Sequence, residues 1–210
     1  MKAALYDPAN HRALAGAAWS AGAARAGIAE LMSDAASACG GPQRLWPNAR
    51  EDLEGDADVP YRSVYFGAAG MGWALQRLAG EGFGPELPGA VEMLAGLPEE
   101  CCRDPELVDS APGPGPAVSL LFGESGIRLA AHAAGAVTDL DALAACVARG
   151  RAGPTRELCW GSPGTMTAAL AIWRQTGESR WRQLWLDIGV ALLVASCLRG
   201  DARFPFLAAH

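Results

Sequence analysis

Histidine is scarce in this chain, with three in 210 residues. His11 lies near the start, His132 falls in an expected helix and His210 is last. The six cysteines (Cys39, Cys101, Cys102, Cys146, Cys159 and Cys197) contain no C-x-x-C pair. A zinc-finger site and a regular disulfide framework are thereby excluded, and free, buried thiols in a reducing compartment are expected. Lys and Arg form no run longer than a couple of residues, and the net charge is −6. This argues against a phosphate-binding face and against nucleic acid as a partner. Long apolar runs are also missing. The most apolar stretch, Ile188 to Leu198, is bounded by Asp187 and Arg199 and falls well short of the ~20 residues that span a bilayer. No secretory leader is expected either, since Asp7 and Pro8 close the short apolar start. A cytoplasmic protein with no membrane partner is the expectation. Aromatic residues are only 7%, and with β-branched residues also sparse the composition disfavours strands.

What is present reads as helix. Alanine and glycine are abundant, and half of the residues are hydrophobic, enough for one good-sized core. The pattern predicts helices over about 13–39, from Gly70 to about Gly80, and over 88–102, the last weakened by Gly96 and Pro98. Others are expected from Gly126 to Gly135 and from a Thr138–Asp141 capping box to 147 or 148. The last two run from a Ser162 cap with Pro163 in the first turn to Gly177, and from Ser179 to Leu198. Gly40-Gly41 should stop the first helix. Trp46 should pin the following connection to the body. Pro112-Gly-Pro-Gly-Pro116 reads as a loop.

Three segments share one layout: Ser63-Val-Tyr-Phe-Gly67-Ala-Ala-Gly70, Ser119-Leu-Leu-Phe-Gly123-Glu-Ser-Gly126 and Glu157-Leu-Cys-Trp-Gly161-Ser-Pro-Gly164. Each has an apolar or aromatic lead-in, then G-x-x-G, then a small-residue helix. The first glycines lie 56 and 38 residues apart, wide enough for a helical hairpin between them. With 26 glycines in the chain, one G-x-x-G means little. Three with aligned flanks indicate a repeat. The first glycine of each is expected to take an unusual φ and the second to let the helix start pack closely. The three starts should gather at one end of the fold.

These motifs resemble the repeated glycine motifs of LanC-like proteins, the lanthionine synthetase C family. The likeness is most specific at Glu157 to Gly164. It extends through Leu5-Tyr-Asp-Pro8, His11, Trp19 and Leu45-Trp-Pro47 to Gly177 and Trp181. The resemblance implies an all-α fold, an α/α toroid with inner and outer helix layers. Residues 1–210 would form one incomplete domain of that type, cut off at its C-terminal side. It also implies chemistry: addition of a thiol to a dehydroamino acid in a peptide, closing a thioether ring at a zinc ion held by two cysteines and one histidine. A zinc ion lowers the thiol pKa and holds the nucleophile. The family's ligands sit in motifs similar to W-C-x-G and C-H-G, and this chain has neither. No metal ligand is assigned to it, zinc is expected only in longer relatives, and the chain alone is expected to be inactive.

The resemblance offers one catalytic position. An acidic residue four before the third glycine motif is implicated in proton transfer, and Glu157 occupies it. The plainer alternative is that Glu157 caps a helix end or pairs with Arg156. Glu124, inside the second motif, is a weaker candidate, expected to face helix N-termini, where negative charge is favoured. The implied partners are a peptide or thiol substrate, and a second copy through an exposed C-terminal edge. Two rivals stay open. One is a truncated or degenerate binding or scaffold module. The other is an α/α-toroid glycosidase, which needs two convergent carboxylates.

Overall fold

The structure, a computed structural model, describes residues 18–40, 45–48, 60–103, 115–151, 153 and 155–198. The N-terminal arm with His11, the acidic 51–58 run and His210 lie outside the described residues. Eight helices follow in order: α1 (Ala21–Ala38), α2 (Ala68–Gly80), α3 (Ala90–Arg103), α4 (Gly115–Val118), α5 (Glu124–Ala133), α6 (Leu140–Gly150), α7 (Ser162–Thr176) and α8 (Ser179–Leu198). The described residues contain no strand. None of their helices is long and apolar enough to cross a membrane. The fold is all-α.

Local chemistry explains most boundaries. Ser20 caps α1, accepting the Ala23 N–H at 3.0 Å. Gly177 ends α7 at φ +71, the left-handed conformation that glycine takes without strain. Two expected caps are corrected. Ser162 is the first helical residue of α7, buried behind the cap residue Gly161, and not the cap itself. At α6 the cap is Asp139, whose carboxylate accepts the Asp141 and Ala142 N–H groups at 2.9 Å each. The Thr138 hydroxyl turns back to the Ala136 carbonyl. Pro98 does not end α3, which continues to Arg103. The proline-rich 112–116 segment carries the start of the short α4.

The Ala142 amide foremost, and the Asp141 amide with it, hold the Asp139 carboxyl below its usual range against the opposing effect of desolvation. The folded pKa is therefore depressed. Stability from this cap is fully present above the unfolded value of about 3.9 and is lost as pH falls through the folded value. Asp139→Ala should lower the thermal midpoint at neutral pH, and the gap from the parent should shrink in acid. Melting curves at neutral pH and well below the carboxylate range check this.

Helix α5 packs against both α2 and α7, with α3 against α2 and α5, α6 against α5 and α7, and α8 against α7 and α6. One apolar cluster joins Met32, Leu45 and Trp46 to Leu75, Met93, Leu94, Leu97 and Ile127. A second joins Leu143, Val147, Ala168, Ile172, Trp181 and Ile188. Helix α5 serves both, with Ile127 in the first and Leu129 against the second. Trp46 pins its connection as expected. It is buried, and its Nε1–H donates to the Ala35 carbonyl at 2.7 Å. On α8, Trp181 and Ile188 are buried, whereas Val190, Leu193 and Val194 are about half exposed. All six cysteines are free, but only Cys101 and Cys146 are buried; Cys197, expected in the core, is exposed.

Candidate functional site

Each repeat begins with a turn that hands the chain into a helix: Ser63–Phe66 into α2, Ser119–Phe122 into α5, and Glu157–Trp160 into α7. The first residue of each turn accepts the amide of the fourth. Ser63 Oγ takes the Phe66 N–H and Ser119 Oγ the Phe122 N–H, both at 3.3 Å, and Glu157 Oε1 takes the Trp160 N–H. The two serines are fully buried and Glu157 is exposed. A hydroxyl or carboxylate at this position does the work of a helix cap one turn early.

The first glycines are required for a different reason than expected, while the second ones serve the close packing that was expected. Gly67, Gly123 and Gly161 cap their helices in extended backbone, at φ −133, −125 and −119, which any residue adopts. What forbids a side chain is space. A Cβ would stand 2.2 Å from the Tyr61 carbonyl oxygen at Gly67 and 2.3 Å from that of Thr155 at Gly161. The second glycines meet the same obstacle six residues back. The separations are 2.0 Å to Val64 O at Gly70, 1.6 Å to Leu120 O at Gly126 and 2.2 Å to Leu158 O at Gly164. The turn folds over its own helix start, and the close approach occurs in all three repeats.

The three turns meet beside the starts of α2, α5 and α7, as the shared layout predicts. The Tyr65 N–H donates to the Leu121 carbonyl at 2.9 Å, and the Leu121 N–H to the Cys159 carbonyl at 3.4 Å. Their rings form a row. Phe122 lies 5.5 Å from Phe66 and stacks on Trp160 at 4.0 Å. Tyr65 is 4.7 Å from Phe66 and 5.2 Å from Phe122, with Tyr61 beside Phe66 at 5.7 Å. Phe122 is buried, but Tyr65 and Phe66 remain 61% and 45% exposed, and Leu158 51%. This is a broad apolar floor open to solvent, with the Glu157 carboxylate at its third-repeat end. Three surface depressions of about 320, 310 and 460 Å³ lie elsewhere, and none includes a motif residue.

Glu157 makes a second bond, with Oε2 accepting the Cys159 N–H at 2.7 Å. Desolvation and the neighbouring carboxylate both hold the Cys159 thiol above its usual range. That is the reverse of what a nucleophilic thiol or a metal-bound thiolate requires. Glu124 lies in the first turn of α5. Its carboxylate is buried and paired with Arg128 Nε and Arg149 Nη2, both at 2.7 Å. The i,i+4 spacing of Glu124 and Arg128 was a readable signal for the first pair; Arg149 arrives from α6 and had none.

Among the described residues no three His, Cys, Asp or Glu side chains converge to hold a metal ion. His132 is a half-buried residue of α5. The donor set does not fit the two-cysteine, one-histidine site that the resemblance would call for. No protein-family model, no curated protein and no solved structure matches this chain.

Proposed function

We propose that this chain is a LanC-like protein, related to zinc-dependent lanthionine synthetases, that binds a peptide without closing the thioether ring itself. Its helices are then part of an α/α toroid, acting in the cytoplasm, and Glu157 occupies the family's proton-transfer position. The observation that carries the reading is the aromatic floor at the repeat starts. Rings at equivalent positions of the three repeats, Phe66, Phe122 and Trp160, line one surface, and Phe66 with the adjacent Tyr65 is left open to solvent. Exposed aromatic rings are the groups that anchor peptides most strongly for their area. The Cys159 thiol, held above its usual range beside the Glu157 carboxylate, supports binding over catalysis. The pairing of Glu124 with two arginines also weighs against a glycosidase, which needs two convergent carboxylates free to act.

Calorimetric titration with a short peptide carrying dehydroalanine and cysteine, and with its serine counterpart, tests the reading. Binding of the dehydro peptide is expected, with no loss of alkylatable thiol, since ring closure would consume the S–H across the double bond. Tyr65→Ala with Phe66→Ala should weaken binding roughly tenfold, equivalent to ~1.4 kcal/mol. Affinity unchanged by that pair, or no binding of either peptide, would remove the floor as the site. Loss of the thiol would show that the chain catalyses the addition after all.

A further inference from the structure

The third residue of each turn carries the bond that joins one repeat to the next. Tyr65 gives its N–H to Leu121, and Leu121 gives its N–H to Cys159. In the third turn the series stops, because the Cys159 N–H is taken by its own repeat, by Glu157 Oε2 at 2.7 Å. The residue type at the first turn position explains the difference. A serine has one side-chain oxygen, and Ser63 and Ser119 place theirs on the fourth amide. Glutamate has two oxygens and a longer reach, so Glu157 covers both the fourth amide and the third. An unpaired edge amide is a template for adding another element, and proteins commonly blunt such edges with charge.

We propose that Glu157 terminates the repeat array. Its carboxylate holds the amide that a further turn would otherwise accept, and the edge it closes fits the first-repeat turn of a second copy of this chain. The occupant follows from continuity with the two junctions already inside the molecule, each an amide-to-carbonyl bond with ring packed on ring. The first turn offers both parts on its outer side. The Tyr65 carbonyl stands at the position of the Leu121 and Cys159 acceptors, and among the described residues nothing donates to it. The Tyr65 and Phe66 rings are exposed beside it. The third turn offers the Cys159 amide, the Trp160 ring and the exposed Leu158 side chain. Donor and acceptor edges differ, so association is head-to-tail and grows beyond a dimer unless a ring closes. This inference uses only the turn geometry and stands apart from the LanC-like reading.

Glu157→Ser installs the residue that the other two repeats carry. Glu157→Gln keeps one acceptor for the Trp160 amide while removing the charge and the second carboxylate oxygen. Sedimentation velocity over a concentration series is the measurement, with circular dichroism verifying the helical fold. Both variants should associate at concentrations about tenfold below those at which the parent does, a difference of ~1.4 kcal/mol. Adding Tyr65→Asp should abolish that gain. Hydrogen exchange of the Cys159 amide should be slow in the parent and fast in the monomeric variants. Folded variants that associate no more tightly than the parent would overturn the terminator role. So would rapid exchange at Cys159 in the parent, a test that needs no variant to fold. Association that survives Tyr65→Asp but is lost with Val190→Asp would place the second copy on α8 and overturn the turn-to-turn docking.

Discussion

Gly126→Ala should unfold the protein or come close to it. A Cβ at this position would lie 1.6 Å from the Leu120 carbonyl oxygen, 2.7 Å from its carbon and 3.1 Å from Val64 Cγ2. A relaxed heavy-atom contact needs about 3.5 Å. When the obstacle is a side-chain tip, a rotamer change relieves it, and overpacking costs ~1–3 kcal/mol. Here the obstacle is main chain, in a turn whose neighbouring residues are tied on several sides. The Ser125 hydroxyl holds the Ser119 carbonyl at 2.9 Å, and Leu121 bonds to both flanking repeats. Moving Leu120 away would strain the central turn against both neighbours. The expected loss is therefore above that range, roughly 3–5 kcal/mol, out of a total of about 5–15 kcal/mol for a typical domain. Gly70→Ala and Gly164→Ala should follow in the same direction.

The control is Gly27→Ala, in the middle of α1, where an added Cβ meets nothing within 4 Å. Alanine is the better helix former, so this change should stabilise by about 0.5–1 kcal/mol. Urea denaturation followed by circular dichroism compares the two. A Gly126→Ala protein with the parent's midpoint would show that the turn yields and that the glycine is not sterically required.

Arg128→Met is expected to have the second large effect. Glu124 and Arg128 are each under 10% exposed. The carboxylate is held by the Arg128 Nε and by Arg149, whose side chain is 54% exposed. Burial works against the Arg128 charge, and the Glu124 carboxylate outweighs it. Two thiols share this neighbourhood. Burial foremost, and then Glu124, push both Cys102 and Cys146 upward, so neither supplies a compensating charge. Removing Arg128 leaves a desolvated carboxylate with one partner that solvent also claims. Breaking a buried pair on one side costs about 3–5 kcal/mol. Replacing both, Glu124→Leu with Arg128→Met, should recover most of that loss, because Arg149 can turn to solvent and the site becomes apolar. A double-mutant cycle by urea denaturation measures the coupling. If Arg128→Met costs less than about 1 kcal/mol, the pair is as weak as a surface salt bridge.

The elements were legible in the chain because their signals are local. Ala-rich periodicity set the helix type, Gly177 marked the end of α7, and the three G-x-x-G segments marked the starts of α2, α5 and α7. Even the shared role of Ser63, Ser119 and Glu157 was present as an oxygen-bearing residue at the same place in each repeat. Cap identity was less legible. Ser162 carries the right residue type for a cap, but the turn before it brings Gly161 into that position and buries the serine.

By itself, then, the sequence determined helix type, order and approximate limits, together with the threefold motif, since these depend on contacts within a few residues. Three features were decided only by tertiary structure. The motif glycines are dictated by a carbonyl six residues back, not by φ, because the turn doubles over its own helix start. Glu124 became a buried ion-pair centre because α6 delivers Arg149 to it from 25 positions away. Glu157 became the end of a hydrogen-bonded series because the turns bond to one another from repeat to repeat. The shared layout places the turns together and the i,i+4 spacing suggests the first ion pair, but the bonds themselves depend on contacts and backbone directions that periodicity does not encode.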